Sequence, residues 1–290
     1  MIINKLYKTI LALFCLGSLS MVSCSPEADF ELPKIKKQLV VDGWIELDGY
    51  AHVILTYNTG YFENLDSASF RALVARFAKV MISDGDRSEI LTLTRDTNYF
   101  PPYVYKGNLI KGELNKTYHL LVDDEIGIVK ASTQIPPPVA LDSIWFTFLP
   151  DNDTLGYIQG IFKDNALEKN YYRTFTKVGM KGRKYIPTLL SIFNDTYFNG
   201  EFFTFSLKKG TESYLKPIED IYFQEGDTVL VRITAINENS YNFWLSYDEE
   251  VINSGNPFAA NHSKIISNIE NGLGIWCGYG SSYYFLEAKH

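Results

Sequence analysis

Cysteine is scarce in this chain, three in 290 residues. Cys15 and Cys24 fall in the first twenty-four positions, which leaves Cys277 alone in the body of the chain. An unpaired cysteine closes no internal disulfide, so apolar burial has to hold the fold. Cys277 stands between Trp276 and Gly278. No neighbouring base is in view to make it a nucleophile, and it reads as a small buried hydrophobe. Histidine is nearly as rare: His52, His119, His262 and His290. None lies in H-E-x-x-H and no pair stands at i, i+4, so zinc has no evident ligand set. No G-x-S-x-G elbow occurs. Basic clusters are missing too. The 27 Lys and Arg against 34 Asp and Glu give a net charge of −7, and nucleic acid, which needs a basic face, is not an expected partner. No cofactor and no metal is expected.

Aromatic residues are abundant, with 20 Tyr and 19 Phe. They favour pleated, half-buried surfaces, and the fold class they predict is mainly β. Residues 38–135 repeat a strand-turn-strand pattern around Asp48-Gly49 and Asp84-Gly85. Tyr118, Leu120 and Val122 then fall on one face by period-two alternation. This predicts an N-terminal immunoglobulin-like β-sandwich. Phe70, Val74 and Phe77 at i, i+4, i+7 predict a short helix over 67–78. Pro136, Pro137 and Pro138 cannot sit in a central strand and are read as a domain boundary.

Residues 139–290 predict a second strand-rich, sandwich-like domain. Asn199-Gly200 between aromatic runs predicts a hairpin, with Phe203, Phe205 and Leu207 facing in. Val229, Val231, Ile233 and Ala235 alternate cleanly. One helix is expected near 239–252, carrying Tyr241, Trp244, Leu245 and Asp248 on one stripe. Asn237 or Asn239 would cap it, and Gly255 and Pro257 would end it.

The segment NGLGIWCGYG, 271–280, holds four glycines and invites a nucleotide reading. A phosphate cradle needs a helix after the glycines, because free amides at its N-terminus bind the anion. Here a short aromatic tail follows, and no Lys-Ser/Thr. Tight turns or close backbone approach around a strand bearing Ile275 and Trp276 explain the glycines better. The stretch Asp151–Gly156 mimics the start of a calcium loop, but Leu155 takes the fifth position and no Glu closes it.

The first residues have a distinct architecture. Lys5 and Lys8 precede an apolar run from Ile10 to Val22, which Ser23-Cys24 ends. Charge, apolar run and small residue in that order predict a signal peptide over 1–23. The run is too short for a permanent span. SLSMVSC resembles the lipobox of bacterial lipoproteins, with Met21 where Leu is usual, and that resemblance makes Cys24 the acylated N-terminus. Two or more acyl chains anchor stably where one does not. Residues 24–37 then read as an extended tether. Its Glu27, Asp29 and Glu31 resemble the signal that sends such lipoproteins to the outer face of the outer membrane.

LVVDGWI, LNKTYHLLV, the AST-IPPP--LDSI junction and NPFA---SKIISNIENGLGIWCGYG occur in that order. Together they resemble a family of Bacteroidota outer-membrane lipoproteins of unknown function, often encoded beside TonB-dependent receptors. The resemblance implies an address and a receptor as partner, and supplies no catalytic residue. Trp44, Trp276, Tyr279, Tyr283 and Tyr284 crowd locally and are the candidates for stacking on a glycan or peptide ligand. The function expected is non-catalytic nutrient capture or receptor docking. A surface hydrolase with a noncontiguous site and a purely structural envelope protein are the alternatives.

Overall fold

The computed structural model describes residues 36–60, 66–179, 184–210, 221–253 and 264–289. The signal peptide, Cys24, most of the tether, Gly255, Pro257, His262 and His290 lie outside the described residues. The protein is mainly β, and residues from Lys37 onward form one compact unit.

Its backbone is an eight-stranded sheet. From edge to edge it runs β12 (Ile186–Asn194), β11 (Tyr171–Val178), β15 (Thr228–Ile236), β16 (Leu273–Glu287), β1 (Leu39–Glu46), β2 (Tyr50–Tyr57), β6 (Tyr103–Lys111) and β5 (Thr92–Arg95). Alternation decides what each face does. In β15, Val229, Val231 and Ile233 are wholly buried on one face, while Arg232 belongs to the other. Two four-stranded sheets cover that first face. One is β4 (Ser88–Ile90), β3 (Lys79–Ser83), β7 (Thr117–Asp124) and β8 (Gly127–Gln134). The other joins β13 (Phe202–Leu207), β10 (Leu155–Lys163) and β14 (Phe223–Gln224), with β9 (Ser143–Phe148) also paired to β10.

Each small sheet traps its own core against the long one. The first core holds Leu39, Val53, Ile82, Tyr118 and Leu120. The second holds Ile158, Phe162, Phe205, Leu207 and Val231. The expected boundary at Pro136–Pro138 does not part the cores cleanly, because the first core takes Ile269 and Trp276 from beyond it, and 38–135 and 139–290 share one sheet. Strand β16 pairs with β15 on one side and, in parallel, with β1 on the other. It also lends Trp276 to the first core. A central strand needs partners on both edges, and here they come from opposite ends of the chain.

Other local expectations resolve individually. Asp48-Gly49 connects β1 to β2, with Asp48 at φ 61°. Asn199-Gly200 makes a turn but no hairpin, because β12 and β13 on its two sides belong to different sheets. The helix expected over 67–78 is shorter: α1 spans Ser67–Ala72, capped by the Asp66 carboxylate. Beyond it the backbone is taken by β2, with the Tyr57 N–H donating to the Leu73 carbonyl and the Ala75 N–H to Leu55. Phe77 is left 93% exposed. The later helix, α2, spans Glu238–Asn253 and is capped by Asn237, whose side-chain oxygen accepts from the Ser240 N–H at 2.9 Å. It buries Ser240, Phe243 and Ser246, a face rotated from the predicted stripe. No helix among the described residues is long and apolar enough to cross a membrane.

One buried acid is structural. Pairing of β2 with β6 shifts register between Tyr50 and His52, opposite Lys111 and Lys106, so the intervening residues of β6 bulge out. Glu89, 5% exposed, accepts the freed amides of Asn108, Leu109 and Ile110 at 3.0, 2.6 and 2.8 Å. Glu89→Ala is expected to lower the unfolding free energy by about 3 kcal/mol, since buried donors lose their acceptor. Urea denaturation reads this directly, and a loss below about 1 kcal/mol would show that water replaces the carboxylate.

Candidate functional site

The second face of the long sheet is only partly covered. Helix α2 packs on one end of it through Phe243 and Trp244, against Phe175, Ile275, Cys277 and Tyr279. Beside the helix a cavity of about 1050 Å³ opens over β11, β15, β16, β1 and β2. The floor side chains are set by strand parity. Strand β1 presents Asp42, Trp44 and Glu46; β11 presents Arg173, Phe175 and Lys177; β15 adds Arg232; β16 adds Tyr279 and Tyr283. Residues 98–100, the 184–187 segment and Tyr247 of α2 form the rim. A smaller cavity of about 450 Å³ lies where the proline run passes β11 and the start of α2.

Three of the sequence candidates meet here. Trp44 stacks on His52 with centroids 5.1 Å apart and planes at 3°, and Tyr99 leans on it at 5.6 Å. Tyr279 is 5% exposed and accepts a hydrogen bond from Arg173 Nη1 at 3.2 Å. Burial pushes its phenol well above the ordinary tyrosine value. Tyr283 is half-exposed, donates to the Glu46 carboxylate, and meets Tyr185 edge-on at 5.8 Å. The other two point the opposite way. Trp276 is wholly buried and its indole N–H donates to the Tyr118 carbonyl at 2.9 Å. The Tyr284 hydroxyl accepts the Leu141 N–H at 2.6 Å in the second core. Period two along β16 divides its four, with Tyr279 and Tyr283 on the cavity side and Trp276 and Tyr284 on the other.

Sequence reasoning missed the charged floor. Arg173 is 5% exposed, with its guanidinium 3.4 Å from the Trp244 ring centroid and 4.9 Å from that of Phe175. Arg232 lies 4.0 Å from the same Phe175 ring, its registered neighbour across the strand pair. The β11–β12 register breaks between Arg173 and Phe175, a bulge beside the cavity. Nε of both arginines is buried without a hydrogen-bond partner. Among the described residues Arg232 faces one carboxylate at ion-pair distance, that of Glu46 at 3.7 Å. Solvent filling the cavity reaches Asp42, yet protein closes round it. Burial raises its carboxyl above the ordinary value against the opposing pull of Arg173. His52 is a cavity wall. Burial lowers its value, so the ring is neutral at pH 7, and Nδ1 donates to the Tyr50 carbonyl at 2.9 Å. The available signal was an arginine inside an otherwise apolar and β-branched strand, as in TVLVRITAI.

Cys277 is fully buried, and desolvation pushes its thiol up to about 11. That is the condition of an inert packing cysteine. The glycines around it also have a geometric role. A Cβ on Gly278 would lie 2.3 Å from the Gln134 carbonyl, and one on Gly280 2.0 Å from that of Pro136.

A family model described as a domain of unknown function (DUF4249) matches residues 26–283. No curated protein matches the chain.

Proposed function

The chain belongs to this family of unknown function, and from that premise we propose an outer-membrane lipoprotein of a Bacteroidota-type envelope. It is anchored through Cys24 and captures a nutrient without chemistry, as an accessory to a TonB-dependent receptor. The observation that carries capture is the cavity of about 1050 Å³, walled by aromatic rings and floored by buried guanidinium groups. Ligand sites are concave, largely preformed, and combine apolar walls with a few polar anchors.

Two details favour binding over hydrolysis. Asp42 and Glu46 are the cavity's carboxylates and stand four residues apart on one strand. Both therefore project from one strand on one wall of the cavity, whereas the acid and base of a glycosidase flank the scissile bond from two sides. His52 is oriented by a backbone carbonyl, where a triad histidine needs a carboxylate.

The anchor and the partner are tested together. Wild-type protein is expected in the membrane fraction and Cys24→Ala in the soluble fraction. Gentle detergent extraction of tagged wild type should bring down a TonB-dependent receptor in stoichiometric amount. Membrane retention of Cys24→Ala would overturn the anchor, and a pull-down without a receptor would overturn the accessory role.

A further inference from the structure

Charge in the cavity runs against charge in the chain. The whole protein carries −7, yet the cavity gathers Arg173, Arg232, Lys177 and Lys184 against Asp42 and Glu46. Walls of low polarizability concentrate such a field on whatever enters. The two guanidinium groups are the centre of it. Their centres lie 4.9 and 4.0 Å from one ring centroid, that of Phe175, hence within about 9 Å of each other. Like charges that close and that buried are unfavourable unless an anion answers them.

The protein's own anions answer them poorly. Arg173 spends one of its five N–H donors on Tyr279. Arg232 makes no side-chain hydrogen bond among the described residues, and Glu46 stays at 3.7 Å from it while accepting from Tyr283. Asp248, on α2, feels Arg173 electrostatically but makes no ion pair with it among the described residues. What remains is unused, preorientated donor capacity on two planar forks, the geometry that carboxylates engage two bonds at a time.

We propose that the captured ligand is an organic acid with a flat ring body, its carboxylate held by Arg173 and Arg232 and its ring laid among Trp44, Tyr99, Tyr185 and Tyr283. The inference rests on the capture reading above and names the chemistry of that ligand. A neutral sugar would stack on the same rings but would leave the spare guanidinium donors without a charged acceptor, so the charge selects the acid.

The test uses the detergent-extracted lipoprotein and two probes of one shape, N-acetylphenylalanine and its uncharged amide. Trp44 and Trp244 line the cavity, so their fluorescence reports occupancy. The acid is expected to give a saturable change at least tenfold tighter than the amide. Arg232→Gln should lose that tenfold preference while its melting temperature changes little, because its pairing with Glu46 at 3.7 Å is loose. Arg232→Lys should recover part of the preference. Equal binding of acid and amide, or binding of the acid unchanged in Arg232→Gln, overturns the anion assignment and leaves capture standing. Failure of the acid to bind up to millimolar concentration overturns the anion assignment as well. A fall in melting temperature of Arg232→Gln by several degrees would make the arginine structural and overturn the proposal from the other side.

Discussion

Trp276→Ala is expected to lower the unfolding free energy by about 3–5 kcal/mol, whereas Tyr283→Ala, seven residues along the same strand, costs less than about 1 kcal/mol. Trp276 has no exposed surface and sits in the first core. Its ring also closes over Gly43, where an added Cβ would meet it at 2.9 Å. Removing the ring leaves a large cavity and strips the Tyr118 carbonyl of its indole donor. Tyr283 is 51% exposed, and its contacts are with Tyr185 on the rim and Glu46 on the floor of the open cavity. Guanidinium denaturation of the two variants gives the comparison. Ligand binding should move the opposite way, lost with Tyr283 and kept by whatever fraction of Trp276→Ala remains folded. Equal destabilisation by the two substitutions would sink the assignment of opposite faces.

Local pattern made much of this fold legible. The alternation of β15, the inward set Tyr118, Leu120 and Val122, and the Asn237-capped helix all follow from side-chain periodicity and capping chemistry. What local pattern leaves out is pairing. Nothing near Val40 announces that its parallel partner is Leu273, at the far end of the chain. The halves therefore read as two domains, though one sheet runs through both. Asn199-Gly200 was misread for the same reason, since turn chemistry fixes the bend and not the sheet that each arm joins. The candidate site was half legible. Trp44, Tyr279 and Tyr283 stood out by crowding, whereas Arg173, Arg232 and Phe175 become a site only when β11 and β15 lie side by side.

The glycines of β16 carry the other large expected effect. Gly280→Ala should cost about 3 kcal/mol, the upper end for overpacking, because the atom in the way is the Pro136 carbonyl oxygen, 2.0 Å from the new Cβ. Gly278→Ala should cost nearly as much, with the Gln134 carbonyl at 2.3 Å. A flexible side chain could swing aside, but these are backbone carbonyls at the end of β8 and the start of the proline run. Moving them would disturb the Gly278 N–H bond to Thr133 Oγ1 at 2.8 Å and the seating of Ile135 in the first core. Gly226, which has φ +84° and nothing within 4 Å of an added Cβ, separates the two possible penalties. Gly226→Ala bears only backbone strain, expected at about 1 kcal/mol. If the β16 glycines instead served a phosphate, their substitution would spare stability and weaken nucleotide binding. Thermal melts of the three variants with and without added nucleotide decide between these readings. A stable Gly280→Ala protein would remove the close-approach explanation. A marked loss in both β16 variants, with no response to nucleotide, identifies the glycines as the places where β16 passes hard against the junction between the two cores.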